Sequence, residues 1–257
     1  MAELNTELYS HKLDEERELN NAAFIEKYKH LLVKGVRRGP FKGLQYPFFS
    51  AVYSAFFPKL LGYYEYELQE VLEGLKGRNY SYILDIGCAE GYYAVGLSKL
   101  FSGSTIVAYD LDPIARTKTG ELAHANNKAI DEQFQIKEEC RAENLLALDP
   151  YTKNLVFSDC EGFEFELFTD QVIHHLHRSD FIIEMHDFVS PGSGDSLISR
   201  FDKTHQVSVV QSIPDLFRYR FVEDPQINSI PLDDRLRLLS EKRPTQMEWL
   251  VCLSKNQ

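Results

Sequence analysis

Ile83-Leu84-Asp85-Ile86-Gly87-Cys88-Ala89-Glu90-Gly91-Tyr92 decides how the rest of the chain is read. An apolar run stops on an acid, breaks into a turn bearing two glycines, and gives way to a helical pattern over Tyr92–Phe101. That order predicts a buried strand, a tight loop and the start of a helix. Glycine lets the backbone come close to a ligand and take positive φ. Amide N–H groups at the start of a helix suit a carboxylate or another polar group. Ligands of open α/β sheets bind beyond the carboxyl ends of the strands. Asp85, Gly87, Cys88, Ala89, Glu90, Gly91 and Tyr92 are therefore candidate ligand contacts, with an acidic side chain of the turn accepting from a ligand amino group.

Downstream the pattern repeats. Strands are predicted at Tyr82–Ile86, Thr105–Asp110, Gln133–Lys137, Leu155–Ser158, Phe181–Glu184 and Val207–Gln211, with a last one at Met247–Leu253. Helices are predicted at Tyr92–Phe101, Pro113–Asn126, Phe163–Leu176 and Ser196–Thr204, with a shorter one near Asp234–Ser240. Such alternation favours a mostly parallel sheet covered on both faces.

Upstream, Glu3 to Leu32 spaces its apolar residues by three to four, which predicts one or two amphipathic helices. A breaker-rich loop follows at Gly35–Pro47, then an aromatic stretch holding Phe48, Phe49, Tyr53, Phe56, Phe57, Tyr63, Tyr64 and Tyr66, and a helix over Tyr64–Leu75. Aromatics at this density form core, a subunit contact that would make a homodimer, or a flap over a pocket. The expected division is a helical, aromatic-rich extension over 1–78 and a ligand-binding α/β domain over 79–257.

The chain has 257 residues, 44% of them hydrophobic, and a formal net charge of −11, which is enough apolar content for a sizeable core. An acidic surface repels phosphate backbones, so nucleic acid is not the expected substrate. Four cysteines without paired spacing argue against a structural zinc site and fit a reducing compartment. Neither a signal-like apolar leader nor a membrane-length apolar run is present, so a cytoplasmic protein without a membrane span is expected.

The second strand ends on Asp110, whose carboxylate can accept both hydroxyls of a ribose while Leu111 lies against an adenine. The third strand leads to Glu138-Glu139-Cys140, where Glu139 could reach an adenine amino group. A dinucleotide fold is the main rival, but Gly87-Cys88-Ala89 lacks the second glycine of that fingerprint, and no Walker lysine follows. The segment around Asp85 resembles the first motif of class I methyltransferases, apolar-apolar-Asp-x-Gly-x-x-x-Gly, and the resemblance covers roughly Tyr82 to Leu253. Asp159-Cys160-Glu161-Gly162-Phe163-Glu164 and Ile182-Ile183-Glu184-Met185-His186 are similar to two segments of the FkbM family. The resemblance implies a Rossmann-like α/β sheet and S-adenosyl-L-methionine as cofactor, while the N-terminal region departs from the family pattern.

The ends of the fourth and fifth strands should converge on the methyl acceptor. They bring Asp159, Glu161, Glu184, His186 and Asp187. Carboxylates in such number repel unless a cation or shared protons compensate. One expectation is a divalent metal, Mg²⁺ or Mn²⁺, held by Asp159, Glu184 and Asp187 or His186, which would lower the pKa of an acceptor hydroxyl. In the other, Asp159 and His186 are catalytic without metal, His186 being the general base. The Asn-Pro-Pro-Tyr segment of many N-methyltransferases is absent after the fourth strand, which favours an oxygen acceptor in a small molecule. The competing classes are a small-molecule N-methyltransferase, a cofactor-binding partner subunit without catalysis, and an enzyme modifying a protein.

Several features read as decoys. His174, His175 and His177 fall at the wrong end of the sheet for a site, and His205 reads as a capping or surface residue at a helix end. Gly194-Asp195-Ser196-Leu197 has the letters of a hydrolase motif in the wrong place. Arg37, Arg38 and Lys42, and less so Arg218 and Arg220, could meet an anionic acceptor but more simply pair with nearby acids.

Overall fold

The computed structural model describes residues 22–32, 35–48, 50–52, 54–189, 191–243 and 245–256. Most of the predicted N-terminal helical segment, together with Lys34, Phe49 and Tyr53, lies outside the described residues.

Seven strands form one sheet: β1 (Tyr82–Ile86), β2 (Thr105–Tyr109), β3 (Phe134–Lys137), β4 (Leu155–Ser158), β5 (Asp180–Met185), β6 (His205–Gln211) and β7 (Glu248–Ser254). Their spatial order is β3-β2-β1-β4-β5-β7-β6. The first five pair in parallel, and β7 runs antiparallel between β5 and β6. This is the mostly parallel, Rossmann-like sheet expected from the alternation. The order reverses beside β1, so the ends of β1 and β4 flank the crevice where such sheets bind ligands.

Helix α1 covers residues 22–28. It is followed by α2 (Phe56–Leu61), α3 (Gln69–Leu75), α4 (Tyr92–Leu100), α5 (Pro113–Ala125) and α6 (Ala142–Leu146). The remaining helices are α7 (Glu164–Leu167), α8 (Asp170–His175), α9 (Ser193–Phe201), α10 (Asp215–Arg218), α11 (Pro225–Asn228) and α12 (Leu232–Leu239). The single helix expected over Phe163–Leu176 is two, because the Thr169 side chain accepts from the Val172 amide and restarts the helix there. His205 opens β6 rather than ending a helix; its imidazole is buried against the Ser179 carbonyl.

Strand alternation sorts the core into two layers. Leu84, Ile86, Val107, Val156 and Ile183 face α6, α8 and α9 through Leu145, Val172, Ile173, Leu197 and Phe201. Ile83, Ile106, Phe157, Ile182 and Trp249 face the other way, onto α4, α5, α12 and the N-terminal segment. That second layer includes Phe24, Tyr28, Phe41, Phe56, Phe57 and Tyr63, so the aromatic stretch is core and continuous with the sheet across residue 78. Each large side chain so buried contributes about 1.5–3 kcal/mol. By the same alternation Asp85 and Glu184 fall on the face that the N-terminal segment covers. No helix among the described residues is long and apolar enough to cross a membrane.

Candidate active site

A cavity of about 550 Å³ opens at the carboxyl ends of β1, β2 and β4. Asp85, Gly87, Cys88, Ala89, Tyr92, Asp110, Leu111, Glu139 and Asp159 all line it. Gly87 holds φ at +82°, and a Cβ there would stand 1.7 Å from the Asp159 carbonyl oxygen, so this glycine lets the loops after β1 and β4 touch. Ala89, although not glycine, has φ +48°, and its amide donates to Asp110 Oδ2 at 2.8 Å. The turn is thereby tied to the end of β2. Such local strain persists where surrounding contacts over-determine it.

Asp85 is 2% exposed. Its carboxylate accepts from the Ala94 amide at the start of α4, yet Oδ2 has no hydrogen-bond partner among the described residues. Burial pushes this carboxyl up to about 7. A buried acceptor without a donor fits a ligand cation or N–H group arriving there. Asp110 accepts from the Ala89 and Asp112 amides, one on each oxygen, and keeps lone pairs for two hydroxyls. Leu111 is 68% exposed at the rim, an apolar surface for a flat ring to cover. Glu139 lies at the same end, its carboxylate paired with Arg141 at 2.7 Å.

Two candidates from the turn sit elsewhere. Glu90 is fully buried and does not line the cavity. Its carboxylate takes Lys59 Nζ at 2.6 Å, the Val52 amide at 3.0 Å and the Tyr46 hydroxyl. Burial alone would raise its pKa, but Lys59, Tyr46 and Val52 outweigh that and hold it below the usual range. It therefore anchors the N-terminal segment instead of meeting a ligand amino group. Gly91 caps α4 with φ +88° and packs against Thr119, also outside the cavity lining.

Beyond the ends of β4 and β5, one carboxylate oxygen each from Asp159 and Glu184 and a ring nitrogen of His186 lie within 4.8 Å of one another. His186 Nε2 is 3.4 Å from Asp159, 3.5 Å from Glu184 and 3.6 Å from Glu161. Its Nδ1 is 2.9 Å from Glu164, a carboxylate 3% exposed that also accepts from the Cys160 amide. With Nδ1–H donating to Glu164, Nε2 is left to the acids. Burial opposes the imidazolium, but Glu164, Glu184 and Glu161 outweigh it and raise the His186 pKa. Burial likewise raises Asp159 to about 7 and Glu184 to about 8.

Asp187 is not part of this cluster. Its carboxylate accepts from the Gly194 amide at 2.6 Å and from Ser193 Oγ at 2.9 Å, which holds the start of α9. Asp187, expected as a metal ligand, is thus not grouped with Asp159, Glu184 and His186. The sequence also gave no sign of Arg243. This guanidinium, 14% exposed, pairs with Glu184, with Glu65 at 2.9 Å and with Glu241 at 2.7 Å. Burial works against its charge, yet the three carboxylates keep it firmly protonated. Glu241 in turn meets Arg218, so a buried ion network lies behind the acceptor site. Arg218 pairs with acids there, as the simpler reading of these basic residues has it; Arg37 likewise pairs with Asp224, and Arg38 covers the Tyr63 ring. Ser196 of the hydrolase-like letters donates to the Gly192 carbonyl inside the first turn of α9.

No protein-family model matches the sequence, and no curated protein matches it. Solved structures to which the chain is similar include the following. The precorrin-6y C5,15-methyltransferase of Geobacter metallireducens is 13% identical with a TM-score of 0.45, covering 73% of this chain and 89% of its own. The geranyl diphosphate C-methyltransferase of Streptomyces coelicolor, in complex with Mg²⁺, geranyl-S-thiolodiphosphate and S-adenosyl-L-homocysteine, is 11% identical with a TM-score of 0.41 over 71% and 73% of the two chains. A TehB-like SAM-dependent methyltransferase of Corynebacterium glutamicum is 15% identical with a TM-score of 0.36 over 72% and 86%.

Proposed function

We propose that this chain is an S-adenosyl-L-methionine-dependent methyltransferase that methylates a hydroxyl of a small molecule. The observation that carries the proposal is the unpartnered Oδ2 of Asp85 in a cavity whose far rim holds Asp110 and Leu111. A ligand with a cationic amino group at one end and a ribosyl adenine at the other satisfies both. The quoted segments Asp159–Glu164 and Ile182–His186 make up the acceptor end, which supports an FkbM-like branch of the class I enzymes.

In this proposal the acceptor oxygen stands beside Asp159 and His186. The O–H proton passes to His186 Nε2 or to the Asp159–Glu184 pair. The oxygen lone pair attacks the methyl carbon as the carbon–sulfur bond breaks, and neutral S-adenosyl-L-homocysteine leaves. Asp159, Glu184 and His186 also form a donor set suited to Mg²⁺ or Mn²⁺, with Glu164 behind the histidine as its orienting carboxylate. A bound divalent cation would supply Lewis acidity toward the acceptor oxygen. An amine acceptor is the second reading, favoured by the excess of carboxylates around the same cavity.

Methyl-labelled S-adenosyl-L-methionine with extract fractions and sugar or polyol acceptors tests the proposal, with and without EDTA. Label appearing in a base-stable ether is the expected product. Calorimetric binding of cofactor with no transfer to any fraction would overturn it in favour of a non-catalytic partner. EDTA resistance together with no proton release on adding Mn²⁺ would remove the metal.

A further inference from the structure

Among the described residues, the cavity lining has seven acids (Asp85, Asp110, Asp112, Glu138, Glu139, Asp159, Glu161) and a single cation, Lys59. Lys59 comes from α2, in the N-terminal segment, and its side chain is 3% exposed. A lysine is rarely buried this far unless paired. The pairing is built: Nζ lies 2.6 Å from Glu90 Oε1 and 2.6 Å from Ser54 Oγ, and 4.7 Å and 5.4 Å from the ring centroids of Tyr64 and Tyr92. An ammonium has three N–H donors. Among the described residues two are used, by Glu90 and Ser54, and one remains.

The cofactor proposed above carries two cationic groups, the sulfonium and the ammonium, and one anionic group, the carboxylate of its methionine moiety. The seven acids suit the cations and hydroxyls; the carboxylate needs a donor. In many anion sites the amides at a helix start serve that purpose. Here two of the amides around the start of α4 are taken, that of Gly91 by the Cys88 carbonyl and that of Ala94 by Asp85, which leaves room for a side-chain donor beside the remaining ones. Lys59 and Asp85 line the same cavity, and the charge of Lys59 acts on Asp85.

We propose that Lys59 is the partner of the cofactor's carboxylate, and that Glu90 is its positioning residue. The inference rests on the cofactor reading above and deepens it: the N-terminal segment becomes a wall of the cofactor site rather than only a cover for the acceptor. Glu90 keeps Lys59 in place and is itself held by the Tyr46 hydroxyl and the Val52 amide, so the pair is fixed while one ammonium N–H is left for the ligand. Val52, Ser54 and Tyr64 line the same wall. Bound cofactor then bridges the segment to the turn after β1.

The test compares two probes by calorimetry: S-adenosyl-L-homocysteine, and 5′-methylthioadenosine, which keeps the nucleoside and sulfur but lacks the amino acid. Lys59→Met should weaken S-adenosyl-L-homocysteine about 10- to 100-fold, the range of a charge-assisted hydrogen bond, and leave 5′-methylthioadenosine within about twofold. Lys59→Met leaves Glu90 unpaired, so the double variant Lys59→Met/Glu90→Gln, which removes both charges, carries the test if the single one does not fold. Equal loss of both probes, or loss of neither, would overturn the role of Lys59 while the cofactor reading stands. Wild-type protein that binds neither probe would overturn both.

Discussion

Asp85→Asn should make the ligand-free protein more stable at neutral pH and bind cofactor more weakly. The wild-type carboxyl is buried and its pKa is raised from 3.8 to about 7, chiefly by burial. In the unfolded chain the same group ionises near 3.9. A carboxyl whose folded pKa lies above its unfolded value binds more protons in the folded state, so stability falls as pH rises between the two. The rise from 3.8 to about 7 amounts to at most about 4 kcal/mol lost by pH 8. Asparagine keeps the shape and removes the charge, so the variant escapes that loss. Urea denaturation of both proteins without ligand, at pH 4 and pH 8, measures it. The two should be alike at pH 4, and the variant should be the more stable by up to about 4 kcal/mol at pH 8. Asp159 and Glu184 also titrate, but they contribute equally to both proteins and cancel in the difference. S-adenosyl-L-homocysteine should reverse the ranking, since only the carboxylate meets its ammonium as an ion pair. Parallel pH profiles, or unchanged affinity in the variant, would refute a strained acid kept for the ligand.

Two further outcomes follow from neighbouring contacts. Gly87→Ala puts a Cβ 1.7 Å from the Asp159 carbonyl oxygen at a φ of +82°, so a thermal melt should show a loss of about 3 kcal/mol or more; an unchanged Tm would mean that the two loops do not touch. Glu164→Gln removes the carboxylate behind His186 Nδ1, and turnover should fall about 10- to 100-fold with S-adenosyl-L-homocysteine affinity unchanged; equal loss of both would assign Glu164 to the fold alone.

The strands were legible because four of the five parallel ones carry apolar residues for both layers, as in Leu84 against Ile83 or Ile183 against Ile182. Runs of that kind stand out in a sequence, and the glycine turn after β1 marks where the ligand end lies. What escaped notice depends on partners far apart in the chain. Glu90 reads as a ligand contact because it stands in a glycine turn at a helix start; only the fold shows that Lys59, 31 positions earlier, has taken it. Arg243 sits in a polar tail without pattern, and its partners Glu184 and Glu65 are 59 and 178 positions away. Asp187 follows His186 directly, yet strand β5 has ended, and the next side chain turns to the amide of Gly194 instead. A sequence shows which acids the acceptor end possesses but not which of them the backbone uses for its own hydrogen bonds.

The charge around the cavity bears on rate as well as on binding. Methyl transfer turns a sulfonium into a neutral thioether, so a site that held the positive charge too tightly would stabilise the bound cofactor more than the transition state and slow the reaction. Seven lining acids, all ionised, would do that. Three features of the structure lessen the field where the methyl group must pass. Arg243 faces Glu184, burial raises the pKa of both Asp159 and Glu184, and the charge of Lys59 acts on Asp85. The acids with ordinary access to water, such as Glu161 at 74% exposed, are screened by it. The buried arginine network is thus more than packing under the acceptor site. On the proposed function, it allows a pocket acidic enough to attract a cationic cofactor to remain moderate at the sulfur, and it would leave His186 and Asp159 to take the proton of the acceptor.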